Sequence, residues 1–340
     1  MSPTSCSPQE LDVAALPKAE LHTHFEASFR PETARDWSER YGRPLPEQGP
    51  FAGLGEFVVA YEVARDLIGT LEDLSRAAAE LVEAAADQGV VWSEVHLIPP
   101  TYAGRLGPEE GIVEAVLAGF AEGAQRNRLV GRASAAGVII GINRGLGIEA
   151  ADRSLGLALR YAQHGVVGLG LAGDEANHPA STFARVFQRA REGGLYALPH
   201  GGEGAGPESV RACIEDLGAT RVCHGVRALE DPAVVELLAE RGVCLDVCPS
   251  SNVTLQVADS LEDHPLPALL AAGVRVSLGS DGPLFSGVRV NDEYVLAHER
   301  MGLGTATLAS IARTSIEASS CPEPLRANAL DGISAWASKH

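Results

Sequence analysis

Eight short runs rich in apolar and β-branched residues recur along the chain. They are AELHTHF (19–25), GVVWSEVHL (89–97), RASAAGVII (132–140), GVVGLGLAG (165–173), GLYALPHGG (194–202), TRVCHGV (220–226), GVCLDVCP (242–249) and GVRVSLGSD (273–281). Between them lie segments such as LEDLSRAAAELVEAAADQG (71–89) and PAVVELLAERG (232–242), whose apolar residues return every three or four positions and whose ends carry glycine. That is the pattern of amphipathic helices with C-terminal caps. Strands that are apolar on both faces and alternate with helices specify a parallel sheet covered on both sides. A chain of 340 residues exceeds the about 250 that a (β/α)8 barrel typically uses, and this closed sheet is the expected fold. An open doubly wound sheet is the rival. Polar residues at the ends of several runs favour the barrel, because barrel active sites are built at the carboxyl ends of the strands. With 45% hydrophobic residues and no break in composition, a single domain over residues 1–340 is expected.

One interval breaks the spacing. Residues 26–88 include RPLPEQGPFAGLG and FVVAYEVARDLI and predict a helical insertion over the barrel mouth, either a lid or an ordinary packed insertion. Phe57 and Tyr61 stand within it at helical spacing, placed to line a lid or to pack one face of a helix. Residues 1–14 read as a poorly ordered tail. No apolar run approaches the about 20 residues that a bilayer span requires. Scattered cysteines without an apolar leader predict a reducing cytoplasm, and Cys223, Cys244 and Cys248, set in apolar runs, read as core. Lys and Arg total 27 against 45 Asp and Glu, a net charge of -18. Such a surface repels nucleic acid, so a small-molecule substrate is expected, with neither nucleic acid nor membrane as partner. The oligomeric state is not set by the sequence.

The first run continues into ELHTHFEA (20–27). Residues i and i+2 of a strand face the same way, so His22 and His24 present two imidazoles to one space. His200 and Glu203 follow the fifth run, His224 the sixth and Asp281 the eighth. Imidazoles and a carboxylate meeting at one barrel mouth suit zinc or a similar divalent ion. A mixed His and Asp shell beside an extra Glu suggests a reactive water rather than a closed structural site. His96, His164, His178, His264, His298 and His340 read as solvated or core histidines.

The blocks LPKAELHTHFEAS, GLGLAGDE, HGGE, CHGV, CPSSN and SLGSDGP resemble, in this order, the signature of the adenosine deaminase branch of the amidohydrolases, which includes adenine and AMP deaminases. The resemblance implies the (β/α)8 barrel and a catalytic zinc (Zn2+) held by His22, His24, His200 and Asp281. Water fills the remaining position, and zinc lowers its pKa from about 15.7 to about 7, giving hydroxide at neutral pH. Glu203 matches the family's proton donor to the ring nitrogen beside the amino-bearing carbon, a task that needs a raised pKa. His224 matches the residue that orients the water, helps remove its proton and stabilises the developing charge. Asp281 would also accept a hydrogen bond from that water. The implied products are ammonia and a ring carbonyl, with no organic cofactor. Gly173 resembles a backbone contact to the ring and Glu26 an acidic contact to the sugar or its surroundings. Glu175 reads as a supporting or helix-start residue.

The departures fall on the substrate side. SDGP (280–283) has Gly282 where the family pattern has a second aspartate, whose side chain in adenosine deaminases hydrogen-bonds the five-membered part of the purine. Loss of such a bond costs about 0.5 to 1.5 kcal/mol when water substitutes. Ala27 replaces the usual glycine, and HLIPP (96–100) stands where relatives carry arginine and tyrosine. The expectation is a metal-dependent hydrolytic deaminase of an adenosine-like or adenine-like aminopurine, with specificity altered from plain adenosine. Two alternatives stay open: hydrolysis of another aminated heterocycle, amide, lactone or ring C–N bond, and a purine-binding protein without catalysis.

Overall fold

The computed structural model describes residues 11–340. Its strands are β1 (Lys18–His24), β2 (Val90–Leu97), β3 (Ala135–Asn143), β4 (Val166–Ala172), β5 (Tyr196–Gly201), β6 (Arg221–His224), β7 (Cys244–Val247) and β8 (Arg275–Leu278). All pair in parallel and in chain order. A parallel bridge between Thr23 and Asp281 returns the sheet to its start. There Asp281 N–H donates to the His22 carbonyl at 3.0 Å and His24 N–H to the Asp281 carbonyl at 2.8 Å. The result is the expected (β/α)8 barrel. Each apolar run holds one strand; β3 starts three residues later than the run because residues 131–133 are exposed, and extends to 143 because Gly141 and Ile142 stay buried.

The long interval divides differently from the expectation. It contains helices α1 (Pro31–Tyr41), α2 (Leu54–Leu67) and α3 (Leu71–Ala86), but α3 is the ordinary outer-ring helix between β1 and β2. A capping box of Thr70 and Asp73 starts it, which satisfies two otherwise orphaned amides. It packs so closely on the helix Glu109–Leu129 that a Cβ at Gly119 would lie 2.2 Å from the Ser75 carbonyl oxygen. Only glycine permits that approach. Of the interval's other two helices, α2 borders the mouth, whereas α1 is tied to α3, Thr33 donating to Glu80 and Arg76 to Asp36. Of the expected tail, residues 1–10 lie outside the described residues, whereas Val13 is buried in the core and the Asp12 carbonyl accepts from the Trp336 indole at 2.8 Å. The foot of the barrel encloses Arg221, which donates to Glu94 at 2.6 Å and to Asp246 at 2.8 Å, with all three side chains at most 1% exposed. Mutual pairing is what makes such buried charges tolerable. Among the described residues no helix is long and apolar enough to cross a membrane.

Candidate metal centre and active-site cavity

The carboxyl ends of β1, β5, β6 and β8 bring the expected polar residues to one place. His22, His24, His96, His200 and His224 form a single cluster of rings with centroid separations of 4.5 to 5.7 Å. His24 Nε2 lies 3.1 Å from His200 Nε2 and 3.3 Å from Asp281 Oδ1, and His22 Nε2 lies 3.5 Å from the same oxygen. Two donors bound tetrahedrally to one zinc at about 2.0 to 2.1 Å stand about 3.3 Å apart, so these spacings fit a common ion. The donors' protonation fits as well. His22 Nδ1 donates to the Asp246 carbonyl at 2.9 Å, which leaves Nε2 as a lone pair, and that buried atom has no hydrogen-bond partner. Such an orienting bond from the far ring nitrogen is typical of metal-binding histidines. The donor atoms of His22, His24 and Asp281 all lie within 4.8 Å of one another, and His200 joins them through His24.

Burial favours the neutral form of four of these imidazoles, the form in which histidine binds a metal. It lowers the pKa of His24 to about 4 and those of His96, His200 and His224 well below the ordinary value. Burial works against an ionised Asp281, while the Ser251 hydroxyl, donating to Oδ2, favours the carboxylate. Asp281 (φ 57°) and His224 (φ 64°) both occupy the left-handed backbone region. Such conformations in non-glycine residues cluster at functional sites.

Glu203 stands beside this group, with Oε1 3.3 Å from His224 Nε2. Burial, and next the charges of Asp281 and Glu175, raise its pKa well above the usual carboxylate range. The shift favours the protonated carboxyl. The segment bearing it is fixed by Glu175, which the sequence placed only as a supporting residue. Glu175 Oε2 accepts from Gly202 N at 2.9 Å and Ser209 Oγ at 2.6 Å, and Oε1 accepts from Glu203 N at 3.1 Å and Gly204 N at 3.0 Å. Arg144 secures the other end of the segment by donating to the His200 carbonyl.

A cavity of about 450 Å³ opens above these groups, within the range of small-ligand sites. Its wall includes His24, His200, Glu203, His224, Asp281, Gly173 and Glu175, and α2 closes it with Phe57 and Tyr61. Two expected substrate contacts, Glu26 and Gly282, are not on that wall. Glu26 is fully buried, accepts the Tyr61 hydroxyl and has Tyr102 facing the same carboxyl. Its bond to Tyr61 ties it to α2. Gly282 is set back against Phe285 and Ala27; a Cβ added to it would lie 3.0 Å from Phe285 Cδ2 and 3.1 Å from the Ala27 methyl. Two of the three departures from the family pattern thus adjoin each other, the methyl at 27 occupying room that a side chain at 282 would need. Of the histidines read as solvated or core, His96 packs under the cluster, stacked on His24 at 5.0 Å, and needs Gly170, where a Cβ would lie 2.8 Å from its Nδ1. His264 is buried behind His224, with Asn252 between them. Neither residue carried a sequence signal beyond its type.

Comparison with known proteins gives a consistent result. The family described as adenosine deaminase matches residues 17–336. The chain is 40% identical to a Streptomyces coelicolor protein provisionally named an adenosine/adenine deaminase, over 96% of this chain and 98% of that one. It is 37% identical to the adenine deaminase of Mesorhizobium japonicum, over 88% and 93% of the two chains. The crystal structure of adenine deaminase from Arthrobacter aurescens superposes with a TM-score of 0.87 at 30% identity, covering 95% of this chain and 99% of that one.

Proposed function

The chain belongs to the adenosine deaminase family of hydrolytic C–N enzymes, and we propose that it is a zinc-dependent aminohydrolase of adenine or an adenine-like aminopurine, with plain adenosine disfavoured. The observation that carries this reading is the placement of Glu203, 3.3 Å from His224, beside a convergent set of imidazole and carboxylate donors on a cavity of ligand size. His22, His24, His200 and Asp281 would hold the ion, which when bound supplies the acidity that brings the pKa of water to about 7.

The chain's own groups supply the rest. Glu203 donates its proton to the ring nitrogen beside the amino-bearing carbon, because an unprotonated aromatic ring resists addition. Asp281, fixed through Oδ2 by Ser251, offers Oδ1 to the reaction side. His224 orients the attacking oxygen. Gly173, with φ 102° and a place on the cavity wall, lets the main chain approach the ring closely. Relatives named for adenine support adenine over adenosine; Gly282 removes the family's carboxylate contact to the five-membered ring, which both compounds share and which any accepted substrate must do without.

The test is ammonia release from a panel of aminated purines, nucleosides and pterins by zinc-loaded protein, with Asp281→Ala as control. Release from adenine or a close analogue, absent in the control, supports the proposal. Efficient turnover of adenosine would remove the specificity part, and zinc binding without any ammonia would move the reaction to another hydrolysis.

A further inference from the structure

Behind His224 runs a chain of three hydrogen bonds whose direction is set at its far end. Leu266 N–H, a donor by covalent structure, points at His264 Nδ1 at 3.1 Å. That nitrogen must accept. His264 is 3% exposed and burial lowers its pKa to about 4, so the ring is neutral and its hydrogen sits on Nε2. Nε2 lies 3.1 Å from Asn252 Oδ1, which accepts it. The Asn252 amide is fully buried, and its NH₂ then faces His224 Nδ1 at 3.2 Å. An NH₂ only donates, so His224 Nδ1 is also an acceptor.

We infer that the His264–Asn252 relay holds neutral His224 with its hydrogen on Nε2, so that His224 meets the reaction as a hydrogen-bond donor and not as a proton acceptor. This deepens the proposed deaminase reading and, for its catalytic meaning, rests on it. Nε2 is the nitrogen on the cavity side, 3.3 Å from Glu203 Oε1. That carboxyl oxygen has no hydrogen-bond partner in the structure, so the N–H is not committed to it and remains available to the oxygen adding to the ring. A donor aimed at an oxygen where charge develops stabilises the transition state without any proton changing place. The base role expected for His224 from the family resemblance has no lone pair to perform it, since Nδ1 is engaged by Asn252. Asn252 and His264 touch no substrate and are positioning residues.

The assignment is tested on the zinc-loaded full chain labelled with ¹⁵N-histidine. Long-range ¹H–¹⁵N correlation distinguishes the two tautomers, and a His224→Gln sample identifies the His224 signals. The expected pattern is an unprotonated Nδ1 and a protonated Nε2. Asn252→Asp replaces the donor with a carboxylate acceptor of the same shape and should move the hydrogen to Nδ1. Turnover should then fall by about a hundredfold or more, with zinc content unchanged. A wild-type spectrum with the hydrogen on Nδ1 overturns the inference, as does an Asn252→Asp enzyme of undiminished kcat. Wild-type protein with the Nε2–H pattern that releases ammonia from no aminopurine keeps the tautomer assignment and discards the deaminase reading.

Discussion

Glu175 accepts four hydrogen bonds with two oxygens, and the single oxygen of a glutamine amide cannot reproduce them. If the amide nitrogen of a Glu175→Gln variant takes the place of Oε1, two backbone donors, Glu203 N–H and Gly204 N–H, are left facing an NH₂. If it takes the place of Oε2, the Ser209 hydroxyl can turn and accept, but Gly202 N–H is still unpaired. The better arrangement therefore orphans one buried amide, at about 1 to 3 kcal/mol. Part of that cost appears as lost stability, measured by urea denaturation of the zinc-loaded protein. The rest appears as displacement of the 202–204 segment, and a shift of about 1 Å in a reacting group costs about a hundredfold in rate. Steady-state kinetics on the active aminopurine should show a fall in kcat with little change in KM and full zinc content. Because Glu175 acts through Glu203, adding Glu175→Gln to Glu203→Gln should cost almost nothing further in rate. Additive losses, or a single variant with wild-type stability and kcat, would refute the reasoning.

Glu203→Gln keeps the metal donors and removes the proton, so zinc content should hold while turnover falls by about 10² to 10⁴; a fully active variant sinks the proton-donor role. Gly282→Asp alone presses on Phe285 and Ala27 and should destabilise by about 1 to 3 kcal/mol, whereas Ala27→Gly with Gly282→Asp should recover much of that loss and gain adenosine turnover. Thermal unfolding of the two variants and their adenosine rates, each against the parent, decide it. Zinc K-edge absorption should show a nitrogen and oxygen shell near 2.0 to 2.1 Å; sulfur at about 2.3 Å would place zinc on Cys223 or Cys248, which form rival three-donor groups with His22. Burial lifts the pKa of Glu293 from 4.5 to about 8, so between those values the folded state binds more protons than the unfolded one, and its contribution to stability is lost as pH rises through that window. Glu293→Gln keeps an acceptor for Ser250 N–H and should flatten this dependence in melts at about pH 5 and about pH 8.5; identical slopes would show that Glu293 does not titrate as described.

The strands were legible because each is a buried run set off by helices of a different period, and the histidines and carboxylates at their ends were legible because closing the barrel gathers strand ends. What the sequence did not reveal depends on contacts between distant residues or on backbone groups that have no letter. Glu175 binds three main-chain amides, so its partners leave no mark in the sequence. His264 reaches His224 only through Asn252, and Ala27 meets Gly282 only because β8 returns beside β1. Glu26 is a related case: it follows the two histidines in sequence, and its bond from the Tyr61 hydroxyl of α2 leaves no mark there. The α3 helix stood inside the 26–88 interval although Gly69 and the Thr70–Asp73 capping box mark its start in the sequence.

Zinc-dependent deamination by this chain is tested most directly by a titration. Metal-free protein is supplied with increasing zinc while ammonia release from adenine and its close analogues is recorded. Ammonia release should rise in proportion to bound zinc and level off at one ion per chain. Protein that binds one zinc per chain and still releases no ammonia from any aminopurine would contradict it.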